Sequence, residues 1–148
     1  MLSSQIFIGS AMIALTVVIH TAGIIGLVVW FKAHFSRFME NLSVAPMTGI
    51  LVIVIVAIFL VHTVEIWLWA VLYTWLGEFA EFERALYFST VTFTSLGYGD
   101  ITLQERWQLL SSFEAANGII LFGVSTAFVF VAIRKLFEIT EIIKADNA

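Results

Sequence analysis

Hydrophobic positions fall into three long runs and one short one. The first, Met1 to Trp30, is almost uncharged and rich in Ile, Val and Leu; the second runs from about Met47 to Trp75, and the third from about Trp107 to Ile133. About 20 apolar residues suffice for a helix to cross a bilayer, so each run predicts a spanning helix, over roughly 5–31, 47–75 and 107–133. A secretory signal would carry a basic start and a shorter apolar core, so the first run is expected to be retained. Pro46 suits the entry to the second helix, and Asn41 to Pro46 is expected to link the first two. The fourth run, Glu83 to Thr94, is amphiphilic and too short to cross; it predicts a short helix ending in the polar stretch Thr94-Ser95-Leu96-Gly97-Tyr98-Gly99-Asp100. Since a full span follows on the same side, this stretch must dip into the membrane and return.

Composition agrees with that pattern. The 148 residues are 61% hydrophobic and 12% charged, with a mean hydropathy of +1.02, against about 25% charged in soluble proteins. The expected class is therefore an all-α integral membrane protein, with three transmembrane helices per chain plus a re-entrant helix and loop. Three segments are expected: 1–45, the first helix and a following loop; 46–135, the central domain; and 136–148, a short tail too small to fold as a sensor. Such a length leaves no room for a separate catalytic or ligand-binding domain, and an enzyme is not expected. Cysteine is absent, which excludes disulfides and thiolate metal sites, and no basic run suits nucleic acid. Of seven basic residues, Lys32, Arg37, Arg134, Lys135 and Lys144 fall at one end of the three-span arrangement and only Arg84 and Arg106 at the other. The positive-inside rule then puts the N-terminus outside and the C-terminus in the cytoplasm, in a plasma or inner membrane.

The polar stretch carries the chemistry. Gly97 and Gly99 take positive φ at little steric cost, so successive residues can alternate in handedness and turn their carbonyls to one side. Non-helical backbone at membrane depth survives only where protein surrounds it or where it lines a water path. Four such strands around an axis would stack carbonyl rings able to replace the hydration shell of an ion. Here the residues resemble the potassium channel superfamily, whose signature is Thr-Val-Gly-Tyr-Gly-Asp after a short pore helix, and the type is that of a small prokaryotic member with an added first helix. The resemblance covers about 47–135, with Ser95 in the threonine's place and Leu96 in the valine's. It implies a homotetramer in the lipid bilayer passing potassium through a filter of Thr94, Ser95, Leu96, Gly97, Tyr98 and Gly99, with K+ held at Ser95, Leu96, Gly97 and Tyr98. The ions are its cargo, and no cofactor is implied. Tyr87 stands where the family often has a tryptophan that ties down the aspartate after the filter, here Asp100. Phe88 and Phe93 would pack with Tyr87 as an aromatic cuff. Val91 replaces a buried carboxylate of some members.

Other polar and small residues carry expectations of their own. Trp67, Trp69, Tyr73 and Trp75 form a candidate interfacial belt, and Glu78, Glu81 and Glu83 an acidic rim that either concentrates cations or is merely solvated. Gly118 and Gly123 supply either flexibility or close packing, with packing favoured for Gly123. His20, His62, Glu65 and Glu114 lie within spans, where ionisable groups are functional candidates. His62, Glu65 and Glu114 are candidate gating or pH-sensing residues, with Thr90 and Thr92 as donors to the carboxyls; interhelical bonding or fixed struts are the plainer reading. The first span lacks the arginines of a voltage sensor. Two rival functions remain: a weakly selective cation channel, and, from another class, a haem-binding electron-transfer subunit ligated by His20 and His62.

Overall fold

The computed structural model describes residues 2–39 and 44–146, with side chains over 2–34 and 46–138. Four helices follow in order: α1 (Leu2–Met39), α2 (Val44–Trp75), α3 (Phe82–Phe93) and α4 (Gln108–Asp146). Three of them, over Leu2–His34, Pro46–Trp75 and Gln108–Glu138, are long and apolar enough to span a membrane. No strand occurs among the described residues, so the fold is the expected all-α membrane class. The expected linker lies partly outside the described residues, at Asn41 to Ser43, as do the side chains of Arg37 and Lys144 and the last two residues.

The helices outrun their predicted ends. α1 continues past residue 31 to Met39, and α4 past 133 to Asp146. Neither extension contains Gly or Pro, so nothing in the covalent chain stops the helix where the apolar run ends. α2 begins at Val44, and Pro46 falls in its first turn, where the N–H that proline lacks would have no helical partner. Its far end closes on Gly77 at φ 77°, with Gly77 N donating to the Thr74 carbonyl (3.1 Å) and Glu78 N to that of Tyr73 (3.0 Å). These are the two bonds of a Schellman stop.

α3 packs between α2 and α4, while α1 packs against both long helices from outside. The larger core lies at the α3 end of the bundle, where Trp69, Tyr73, Ala85, Phe88, Phe93 and Leu110 are buried together. Trp69 and Tyr73 therefore leave the expected belt and point inward, while Trp67 and Trp75 stay exposed. Their phase explains this: Trp69 and Tyr73 are four residues apart on the helix face that meets α3 and α4.

α1 runs parallel to α4, and polar contacts fix their register. Gln5 accepts a hydrogen bond from the Leu109 backbone N–H (3.1 Å), which serves as a cap on the first turn of α4 supplied by another helix. Deeper down, Asn117 Nδ2 donates to Thr16 Oγ1 (2.7 Å), and Ser125 meets His20. Glycines let α1 sit close to both neighbours: a Cβ on Gly9 would lie 2.8 Å from the Phe113 ring of α4, and one on Gly23 2.7 Å from Val61 of α2. Gly9→Val should push α1 away from Phe113 and cost about 1–3 kcal/mol by overpacking. Thermal unfolding of the purified protein in detergent checks this, an unchanged midpoint being the contrary result.

Candidate functional site

The polar stretch grows from the end of α3. Thr94 caps the helix in αR geometry, its N–H still bonded to the Thr90 carbonyl (3.2 Å). The chain then reverses: Ser95 N donates to Thr92 O (2.9 Å), while Leu96 N and Gly97 N converge on Val91 O (3.0 and 3.2 Å). Positive φ occurs at Ser95 (58°), Gly97 (55°) and Gly99 (75°), and not at Leu96 or Tyr98. Handedness thus alternates residue by residue across the strand. The sequence reading anticipated the two glycines and missed Ser95, whose left-handed backbone costs a non-glycine residue energy. No local signal marked it. Residues 94–100 are all exposed, with Leu96 at 56% and Tyr98 at 66%.

Several contacts hold this strand in place. A Cβ on Gly118 would overlap the Phe93 carbonyl oxygen, so α4 lies directly against the last carbonyls of α3. Close packing, not flexibility, is what Gly118 provides. Gly123 has open space around it within the chain, against the packing expected of it. Tyr87 Oη donates to Asp100 Oδ2 (2.8 Å), spanning the loop from outside. This bond is exposed, so Tyr87 and Asp100 are not the buried pair of a desolvated clamp. Phe88 packs edge-on against Tyr73 (5.2 Å) and Phe93 edge-on against Phe122 (5.7 Å), while Phe79 tilts against Phe88 (5.4 Å) and His62 against Phe93 (6.0 Å). The acidic rim is tied by Glu78, which accepts from Gln104 N (2.7 Å).

Behind the loop, Glu114 is fully buried and joins three helices. It accepts from Tyr73 Oη of α2 (2.7 Å), while its other oxygen lies 2.5 Å from Ser89 Oγ of α3. Ser89 Oγ also reaches the Ile66 carbonyl (2.8 Å). The expected donors were Thr90 and Thr92. Ser89 takes that place because it occupies the buried face of α3, while Thr90 is exposed and bonds its own helix at Leu86 O. Three contacts around Glu114 call for three protons, and the two hydroxyls supply two. All three fill when the carboxyl itself is protonated.

Glu65 is also fully buried, and its hydrogen bonds run to α1 and within α2. His20 Nδ1 lies 3.0 Å from its Oε1 and His62 Nδ1 2.8 Å from its Oε2. The opposite ring nitrogens of both histidines meet Ser125 Oγ, at 2.9 Å from His62 and 3.3 Å from His20. His62 and Glu65 are thus brought together, whereas Glu114 belongs to a separate network. Sequence reasoning missed Ser125, Ser89 and the inward Tyr73; Ser125 stands eight residues after Asn117, on the face of α4 already marked by a polar residue. The trio His20, His62 and Glu65 presents donor atoms within 4.8 Å of one another, so a metal could be considered, but each donor is already engaged by a neighbour. The two imidazoles face each other directly, with ring centroids 5.1 Å apart, and both close on the same carboxylate and hydroxyl.

Three helices long and apolar enough to span a membrane, with a short helix packed between two of them, describe an all-α integral membrane protein. The chain belongs to the ion channel family whose model matches residues 49–135. The match covers α2 through the span of α4 and stops short of α1. No curated protein and no solved structure matches the chain.

Asp100 raises the Tyr87 phenol above its ordinary 10.0, chiefly by accepting its hydrogen bond, with desolvation and the carboxylate charge adding to the effect. A phenol whose folded value is raised keeps its bond below the unfolded value and loses it as pH rises through the raised one. Tyr87→Phe should therefore speed inactivation while leaving ion preference near normal. In the wild type, the contribution of this bond should persist at least to about pH 10. Inactivation time courses in both proteins across alkaline pH check this, and equal kinetics would reduce Tyr87 to packing. For Glu114, the isosteric neutral Glu114→Gln should keep the fold, since its amide can donate to Ser89 while accepting from Tyr73. Glu114→Ala should lose about 1–3 kcal/mol for the stranded hydroxyls, measured by thermal unfolding.

Proposed function

We propose that the chain forms a homotetrameric potassium channel in which each copy supplies one quarter of a filter of backbone carbonyls. The observation that carries this reading is the alternation of handedness through Ser95, Gly97 and Gly99 within Thr-Ser-Leu-Gly-Tyr-Gly-Asp. Alternation lets consecutive carbonyls face one side, and only a ring of such strands gives an ion enough oxygens to replace its water. Thr94, Ser95, Leu96, Gly97, Tyr98 and Gly99 are the lining residues. The Ser95 hydroxyl completes the innermost layer, and K+ sits at the levels of Ser95 to Tyr98.

Assembly follows from exposure. A single chain leaves Leu96, Tyr98 and the loop backbone bare, and irregular backbone at membrane depth needs protein or a water path around it. Closure by rotation about one axis supplies both. The last turn of α3 points its carbonyls past Thr94, and this negative end favours a cation below the filter. Lys32 and Lys135 border the same groove between α1, α2 and α4, far from Arg84 and Arg106. That distribution supports a cytoplasmic location for this end and an external N-terminus. Glu114, tied on both sides, acts in this reading as a strut for α3.

Reconstituted channels should show a reversal potential in mixed potassium and sodium near that of a potassium electrode. Gly97→Ala should collapse this preference, because a Cβ at φ 55° turns the carbonyl away from the axis. Ser95→Thr keeps the hydroxyl and should still conduct. Equal permeability to both ions in the wild type would favour a weakly selective cation channel, and native mass spectrometry should find four chains.

A further inference from the structure

At the end of the bundle away from α3, the three long helices border a groove of about 470 Å³, within the range of about 300–1,000 Å³ common for small-molecule sites. Apart from Lys32 and Lys135, every side chain lining it is hydrophobic. It adjoins the smaller core, where Ile50, Val54 and Leu136 are buried and Leu27, Phe31 and Phe128 pack against them. Water gains no hydrogen bonds along such walls, and a vacant space would leave the lining atoms without contacts on one side. The groove therefore calls for an apolar occupant.

Its dimensions choose among apolar occupants. On α4 the lining runs from Phe128 to Leu136, about 12 Å at 1.5 Å per residue and less than half of a hydrocarbon core about 30 Å thick. A helix with its side chains is about 10–12 Å across, so 12 Å of helix would occupy roughly 1,000 Å³, twice the space there is. An extended hydrocarbon chain within one leaflet matches both the length and the bulk. Charge marks one end. The bonds Gln5–Leu109, Thr16–Asn117 and His20–Ser125 set α1 against α4 at offsets of 104, 101 and 105 residues, which puts Lys32 level with residues 133–137. Lys32 and Lys135 thus stand at one height on the groove, and Trp30, stacked on His34 at 4.9 Å, lies beside them. Tryptophan is enriched at the level of lipid headgroups. Arg134 and Lys135 share Glu138 (2.9 and 3.3 Å), and among the described residues no carboxylate pairs with Lys32. Three cations against one carboxylate leave this mouth positive.

We propose that the groove holds one acyl chain of an anionic phospholipid, with the headgroup phosphate bound by Lys32 and Lys135. The lysine stems then cover apolar wall while their ammonium groups stay at the polar level. A zwitterionic lipid brings the same acyl chain but also its own cation, so discrimination between the two falls to the lysines. Each basic residue at a membrane surface favours an anionic lipid about fivefold, and sharing of Lys135 with Glu138 reduces the joint effect to about tenfold. Residues 27–32 of α1 form one wall, and they lie outside the residues matched by the family, 49–135. The site thus belongs to the junction of α1 with that unit. It requires the chain to lie in a membrane and is independent of the ion the pore passes.

The test uses the full chain in vesicles of equal parts phosphatidylcholine and phosphatidylglycerol, with a trace of either lipid carrying a photoreactive diazirine midway along one acyl chain. Peptide mass spectrometry then locates the labelled residues. Wild type is expected to be labelled at 27–31 and 128–132, about tenfold more by the phosphatidylglycerol probe. Lys32→Gln combined with Lys135→Gln alters two exposed side chains and should bring the two probes within about twofold of each other. Ala132→Trp fills the groove and should remove the label there, while label on exposed faces such as Phe59 and Val64 persists. Equal labelling of the wild type by both probes, or a preference that survives the double glutamine variant, would overturn the headgroup assignment. Label confined to the exposed faces, or groove label that persists in a folded Ala132→Trp protein, would overturn the acyl-chain site.

Discussion

In the proposed channel, the constraint on which this structure rests is that a strand with unpaired backbone groups has to be held inside a membrane. Lipid offers these groups no partners, so each feature around residues 94–100 either satisfies one of them or keeps the strand from moving. Val91 O takes two N–H groups from the turn, Thr92 O takes a third, and the carbonyl of Phe93 is backed by α4 at Gly118. The requirement for glycine at 118 thus comes from the neighbouring chain segment and not from the helix that contains it. A methyl group there would displace the end of α3, and with it the whole strand.

The same constraint explains why the bundle is polar where it is most buried. Glu114, Ser89 and Tyr73 form a knot joining α2, α3 and α4. In water such bonds would add little, since solvent competes for every donor. In lipid the helices gain no hydrophobic drive to associate, and directional polar contacts with close small-residue packing set the geometry instead. An apolar residue at 114 could fill the volume, but it would not specify the height at which α3 stops. That height decides where the strand begins.

Much of this arrangement was legible in the sequence, for identifiable reasons. Spans are written as apolar runs, and Gly97 and Gly99 mark the backbone reversal because few other residues accept that conformation. The bond from Tyr87 to Asp100 could be anticipated from the family pattern. What stayed hidden depends on helix rotation. Trp69 and Tyr73 look like interfacial aromatics by composition, yet their phase turns them inward. Ser89 and Thr90 are adjacent hydroxyls of similar chemistry, and only the orientation of α3 decides that Ser89 meets Glu114. Ser95 carries positive φ with no compositional mark. The ends of α1 and α4 were misplaced because an apolar run records the thickness of the membrane and says nothing about where a helix stops.

α1 shows how a helix outside the residues matched by the ion channel family is joined to them. The family match begins at residue 49, so the first helix lies outside the shared unit. It reaches that unit through side chains that are unremarkable alone: Gln5 on a free backbone N–H, Thr16 under Asn117, and His20 between Glu65 and Ser125. Apolar contacts by themselves would allow α1 to slide or rotate against α4, because leucine and valine faces are nearly interchangeable. Polar partners spread along α1 at Gln5, Thr16 and His20 allow one register only. The order of these contacts matters as well. Gln5 anchors α1 where α4 begins, beside the strand, whereas His20 holds it at the middle of the bundle, beyond the Glu114 knot. The bonds that fix α1, at Gln5, Thr16 and His20, are therefore different from those that support the strand at Val91, Thr92 and Gly118.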